Sequence, residues 1–139
     1  MYKKILVAIE NSEADRAILT HIRGLARLTG AELLLVHVAD GWAARHFDDL
    51  NLRESEEMRA DREYLAMIQG TLQAEGFSVR TLLAKGDPAT ELIRVSQAED
   101  TDLIAMSTHG HRFLADVVKG TTVDRVRHIV KIPVLLLRA

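Results

Sequence analysis

The stretch "ILVAIENSEADRAILTHIRGLARLTG", Ile5 to Gly30, decides how this chain folds. Its first five residues are apolar without alternation, the pattern of a strand buried on both faces of a parallel sheet. Asn11 or Ser12 then offers a side chain to cap a helix. Ala14, Ile18, Ile22 and Leu25 recur at helical spacing, and Gly30 stands where a C-terminal cap belongs. The segment reads as one βα unit.

Outward from this unit the pattern repeats. "ELLLVHV", Glu32 to Val38, is a second buried strand, and "ADGWAARHFDDLNL" after it is polar and irregular enough for a loop. A long mixed-charge helix follows with Met58, Leu65, Ile68 and Leu72 on one face and Gly76 at its end. Its charges at Glu56, Glu57, Arg59, Asp61 and Arg62 are read as a solvated face. Phe77, Val79, Thr81 and Leu83 alternate with polar residues, which suggests a third strand at the sheet edge. Asp87-Pro88 opens a third helix through Leu92, Ile93 and Val95, with a cap residue before proline. "DLIAM", Asp102 to Met106, is the fourth strand. A helix around Val123 to Ile129 and a fifth strand, "PVLLL" from Pro133 to Leu137, complete the chain.

Five strands alternating with four helices predict an α/β sandwich of three layers, a parallel sheet with helices on both faces joined by right-handed crossovers. In such sheets ligands bind beyond the C-terminal strand ends, where the strand order reverses. The loops after strands one, two and four are therefore the places to look for a site.

Composition narrows the choices. The 139 residues suit a single domain spanning 1–139. Apolar residues make up 47% of the chain and aromatics only 4%, so aliphatic side chains must build the core. Eighteen basic against twenty acidic residues leave no electrostatic footprint for nucleic acid or a membrane surface. With no cysteine, disulfides and thiolate metal sites are excluded. "MYKKILVAIE" has an apolar run too short for a signal peptide or a membrane span, so cytoplasm is the expected location.

The chemistry-bearing residues cluster in two loops. After strand one stand Glu10, Asn11 and Ser12. The carboxylate can accept hydrogen bonds from ribose hydroxyls, or the three residues can serve as a cap and a solvated charge. After strand four comes "STHGHRFLADVVKGTT", Ser107 to Thr122, with Gly110 in a polar loop and Gly120-Thr121-Thr122 before a helix. Glycines allow close backbone approach, and free N–H groups at a helix start favour anions. The same residues also fit a turn followed by a helix cap. Neither G-x-x-x-x-G-K-[ST] nor G-x-G-x-x-G is present. His109, His111 and His128 lack the carboxylate support of a metal site, and no metal is expected. His37 is read as a strand-end histidine satisfied by hydrogen bonds.

Taken together, "KKILVAIENSEADRAI", "LLLVHV", "GDPATELI", "DLIAMSTHG", "KGTTVDRVRH" and "IPVLLLR" make the chain resemble the universal stress protein family over essentially its full length. The resemblance implies a Rossmann-like fold with strand order 3-2-1-4-5, similar to the adenine nucleotide alpha hydrolases. It also implies a homodimer paired through the last strand, Pro133 to Leu137. One branch of the family binds ATP through G-x-x-G, nine residues, then G-S or G-T. Gly110, nine intervening residues and Gly120-Thr121 match the second half of that pattern, while Ser107 replaces its first glycine. The family's ribose-binding aspartate and the glycine after it correspond to Glu10 and Asn11. Val38 matches the position whose backbone meets adenine, Ala8 and Met106 line that pocket, and Thr121 and Thr122 carry the hydroxyl and amide roles. If the Ser107 hydroxyl took over the missing glycine's place, it would donate to a phosphate.

The expected function is that of a small stress-response or signalling module that binds ATP, with magnesium as the nucleotide's companion, and turns it over slowly if at all. The alternative is a nucleotide-free dimeric protein acting through a partner. In that reading the segment Asp40 to Arg53, with Trp42, His46 and Phe47, makes the contacts.

Overall fold

The computed structural model describes residues 1–40, 51–108 and 122–139. In chain order the elements are β1 (Lys4–Ala8), α1 (Ala14–Thr29), β2 (Glu32–Asp40), α2 (Asn51–Ala74), β3 (Val79–Gly86), α3 (Pro88–Ala98), β4 (Leu103–Thr108), α4 (Thr122–Ile129) and β5 (Val134–Arg138). The strands form one parallel sheet in the order β3-β2-β1-β4-β5, as expected. β1 pairs with β2 in the register Ile5–Leu33 and with β4 in the register Ile5–Leu103.

The unbroken apolar runs are explained by what covers each face. Ile5, Leu6 and Val7 are all fully buried, so neither face of β1 meets water. Successive side chains point to opposite faces, and the core divides by parity. Ile5, Val7, Leu33, Leu35, Leu103 and Ala105 pack against Ile18 and Ile22 of α1 and Leu65, Ile68 and Leu72 of α2. Leu6, Leu34, Val36, Ile104 and Met106 pack against Leu92, Ile93 and Val95 of α3 and Val126 of α4. Each fully buried aliphatic side chain contributes roughly 1.5–3 kcal/mol, so both layers are needed to hold the sheet.

The caps follow the sequence with one exception. Gly30 adopts a left-handed φ of 71° and its N–H donates to the Ala26 carbonyl, closing α1. Asp87 caps α3, its carboxylate accepting from the Thr90 N–H at 2.9 Å and the Thr90 hydroxyl at 2.7 Å. At the start of α1, Glu13 occupies the cap position without a side-chain bond, and Ser12 Oγ accepts from the Ala14 N–H at 3.2 Å. Asn11 does not cap. The loop there is held instead by Asp15, a residue inside the helix.

Candidate functional site

With β1 between β2 and β4, the chain leaves β1 toward the α1 layer and reaches β4 from the α3 layer. The strand order reverses at this pair, the place in such a sheet where ligand clefts form beyond the C-terminal strand ends. Ala8, Val38 and Met106 all have the parity of the α3–α4 layer. They come together at the strand ends, each packed in the cluster that holds Val126 and, at the start of α4, Val123. Met106 is buried, while Ala8 and Val38 are half-buried and leave an apolar floor partly open. Thr122 is the first residue of α4 and is half-buried. Gly110, Gly120 and Thr121 lie outside the described residues, as do His109, His111, Trp42, His46 and Phe47.

Ser107 has the opposite parity. β4 runs two residues further than the apolar run indicates, so Ser107 is an extended strand residue paired with Leu137. Among the described non-glycine residues a positive φ occurs at Asn11 and Asp100. Ser107 therefore needs none of the conformations reserved for glycine. Its hydroxyl, buried on the α1 side, donates to the Ala14 carbonyl at 3.3 Å, so the strand carries it away from the floor formed by Met106.

The loop after β1 carries a dense set of hydrogen bonds. Asp15 is only 2% exposed. Its carboxylate accepts from three consecutive backbone N–H groups, of Glu10 at 2.9 Å, Asn11 at 2.8 Å and Ser12 at 3.3 Å. The Tyr64 hydroxyl of α2 donates to it at 2.7 Å. Burial, with the Asp15 carboxylate alongside, pushes the Tyr64 phenol well above its ordinary range. Asn11 takes a left-handed φ of 60°, a conformation that asparagine tolerates better than most residues. It thereby fills a position where glycine is the common choice.

Asn11 Nδ2 donates to Asp61 Oδ1 at 3.0 Å, and Asp61 Oδ2 lies 3.3 Å from His37 Nε2. His37 Nδ1 donates to the Ile9 carbonyl at 2.8 Å, because a carbonyl oxygen can only accept. His37 is thus the hydrogen-bonded strand-end histidine expected. Asp61, in contrast, is not on the solvated face of α2. It is half-buried and joins the β1 loop to β2. The sequence did hold a signal for this, since Asp61 falls on the stripe Met58, Leu65, Ile68, Leu72 at helical spacing. Asp15 likewise falls on the stripe of Ile18, Leu19 and Ile22. A charged residue on a buried stripe must have partners.

In the other helical layer, Arg125 of α4 reaches the cap of α3. Its guanidinium donates to Asp87 Oδ2 at 2.7 Å and to Thr90 Oγ1 at 3.1 Å. The Thr90 hydroxyl and amide, and then Arg125, hold the Asp87 carboxyl below its usual range. Among the described residues, no group of three His, Cys, Asp or Glu side chains is arranged to hold a metal ion.

A family model described as the universal stress protein family matches residues 1–138. The chain belongs to the universal stress protein family. It is 26% identical to a universal stress protein of Methanocaldococcus jannaschii over 155 residues, covering 99% of this chain and 96% of the relative. The solved structure of that relative, the subject of a structure-based assignment of biochemical function, superimposes with a TM-score of 0.85 over 100% of this chain and 97% of the other. Two more distant universal stress protein structures share the fold. One was solved in complex with cAMP (16% identity, TM-score 0.73, covering 99% and 97% of the two chains). The other, from Archaeoglobus fulgidus, was solved in complex with dAMP (20% identity, TM-score 0.71, covering 97% of each).

Proposed function

We propose that this universal stress protein binds an adenine nucleotide, ATP with its magnesium ion, in the cleft between β1 and β4, and serves as a small cytoplasmic stress-response or signalling module. The carrying observation is the apolar floor of Ala8, Val38 and Met106 at the reversal of strand order. An apolar surface at this place in the sheet suits the flat face of a purine base. Universal stress proteins solved with cAMP and dAMP provide the precedent for adenine on this fold. In this reading Glu10 meets the ribose. Gly110, Gly120, Thr121 and Thr122 receive the phosphates on the strength of their sequence pattern.

The division of labour is sharpened by Asp15. Three consecutive N–H groups turned toward one anion make the kind of nest that elsewhere cradles phosphate, and here the chain's own carboxylate fills it. The amides of the β1 loop are thereby committed, which leaves the phosphates to the β4 side. Ser107, with its hydroxyl on Ala14, contributes backbone rather than a phosphate contact. The function proposed is binding, with hydrolysis at most slow.

A homodimer through the last strand belongs to the same proposal. Among the described strands β5 pairs with β4 alone, and Leu136 is 38% exposed. An apolar edge strand is commonly covered by a partner.

The deciding experiment is to denature the purified protein, chromatograph the released small molecules, and titrate ATP against the melting temperature. A ligand that binds only the native state must raise that temperature with concentration. Gly110→Val is expected to leave the unliganded melting temperature intact and abolish the rise. A wild-type protein that neither carries nor responds to adenine nucleotide favours the partner-binding alternative.

A further inference from the structure

The contacts of His37 close only when its imidazole carries two protons. Nδ1 lies 2.8 Å from the Ile9 carbonyl oxygen, and Nε2 lies 3.3 Å from Asp61 Oδ2. A carbonyl and an ionised carboxylate can only accept, so both ring nitrogens must donate for both contacts to be satisfied. A neutral imidazole has one N–H and serves one of them. The other contact then sets a lone pair against an oxygen, between side chains only 14% and 17% exposed.

The two partners differ in their freedom to give way. The Ile9 carbonyl belongs to backbone fixed at the end of β1: the Ile9 N–H donates to the Val36 carbonyl at 2.8 Å, and the residue is 3% exposed. Asp61 reaches the imidazole on a side chain that can rotate away from α2. When the second proton leaves for solvent, Nδ1–H stays on Ile9 and Asp61 is the partner that moves. Its other oxygen accepts from Asn11 Nδ2 at 3.0 Å, so the release passes to the loop after β1. We propose that His37, Asp61 and Asn11 form a proton-operated latch on that loop, closed while His37 is doubly protonated and opened by loss of the proton on Nε2. The latch needs no ligand and stands apart from the nucleotide reading above.

The surrounding titratable groups leave the imidazole proton as the one that changes. Besides Asp61, α2 carries Glu57 one turn before it and Tyr64 one turn after. Asp15 of α1 is held by the Tyr64 hydroxyl and the loop amides. Lys85 of β3 is in register with Ala39, two residues beyond His37, and Glu10 follows Ile9. Across the range in which imidazoles titrate, carboxylates stay ionised and lysine and tyrosine stay protonated.

The test follows the full chain by NMR between about pH 5.5 and about pH 8. The His37 imidazole should titrate to a neutral form with its proton on Nδ1, and the Asn11 side-chain amide should shift with the same midpoint. The melting temperature should carry a component that is full on the acid side, where the imidazole is charged and Asp61 still ionised. That component is lost as pH rises through the midpoint, on the order of 3 °C for one moderate ion pair in a chain of this size. Asp61→Asn should lack it, because the amide can donate to a neutral Nε2 while its oxygen still accepts from Asn11. Should Asp61→Asn fail to fold, His37→Gln takes its place and should lack the same component. A His37 imidazole that keeps one protonation state throughout, or a neutral form protonated on Nε2, would overturn the latch. So would an Asn11 amide that stays still while His37 titrates, or variants that keep the wild-type pH dependence.

Discussion

The two ends of the sheet handle their polar groups in opposite ways. At the N-terminal ends of the strands the contacts run between neighbouring elements and sit close to solvent. The Asp102 carboxylate accepts from the Lys3 and Lys4 amides at 2.8 and 3.1 Å, tying β4 to β1. Lys4 Nζ donates to the Glu99 carbonyl, and Arg80 pairs with Glu99 and Glu32. Beneath them Ser96 and Thr101 share a buried hydroxyl contact of 2.7 Å. At the C-terminal end beyond β1, one carboxylate at 2% exposure holds three amides and a phenol. One end spreads its bonds over many replaceable groups, and in the loop beyond β1 at the other end four of them converge on Asp15. That difference separates an end whose polar groups are shared among several elements from a loop whose backbone is held by a single carboxylate.

The sharpest way to break the contrast is Asp15→Ala. It removes the shared acceptor of three backbone donors and the Tyr64 hydroxyl, all part-buried. The expected loss is on the order of 3 kcal/mol in urea unfolding, since four donors lose one charged acceptor together. Asp102→Ala at the other end removes two amide contacts near solvent, where water replaces the carboxylate. Its expected cost is about 1 kcal/mol, with ATP affinity unchanged. A loss equal to that of Asp15→Ala would erase the distinction drawn here.

The smallest effect belongs to the exposed cap of α3. Asp87 has a lowered pKa, so its contribution to stability is present above the ordinary carboxylate range and is lost as pH falls through its folded value. Arg125→Ala should cost roughly 0.2–1 kcal/mol at neutral pH. The gap between variant and wild type should shrink as the solution is acidified below the Asp87 transition. A gap that stays constant through that range would mean that Arg125 stabilises by packing rather than by charge.

Much of this was legible in the chain itself. Unbroken apolar runs located β1, β2 and β4, and the alternating run at Phe77 to Leu83 placed β3 at the edge, where it lies. Gly30, Gly76 and Asp87-Pro88 marked element ends because their backbone demands are local. The site was less legible. Asp61 was grouped with its charged neighbours although it lies on the buried stripe; the stripe marks it as covered, but its partners, Asn11 and His37, are fifty and twenty-four residues away and periodicity does not name them. Asp15 drew no notice because three of its partners are backbone amides, which a side-chain pattern does not display, and the fourth, Tyr64, is forty-nine residues away. Ser107 looked like a damaged glycine because its position was judged from a motif. Its strand geometry and its parity show an ordinary extended residue facing the other layer.

Parity has one more consequence. The floor of the cleft and the core beneath α1 and α2 are written on alternating letters of the same strands. A substitution at Ala8 or Val38 reshapes the apolar floor at the strand ends without touching Ile18 or Leu65, and one at Val7 does the reverse. The strand-end floor and the core can therefore vary by separate sets of substitutions. The insertion of a single residue into β1 would exchange the two sets and forfeit both.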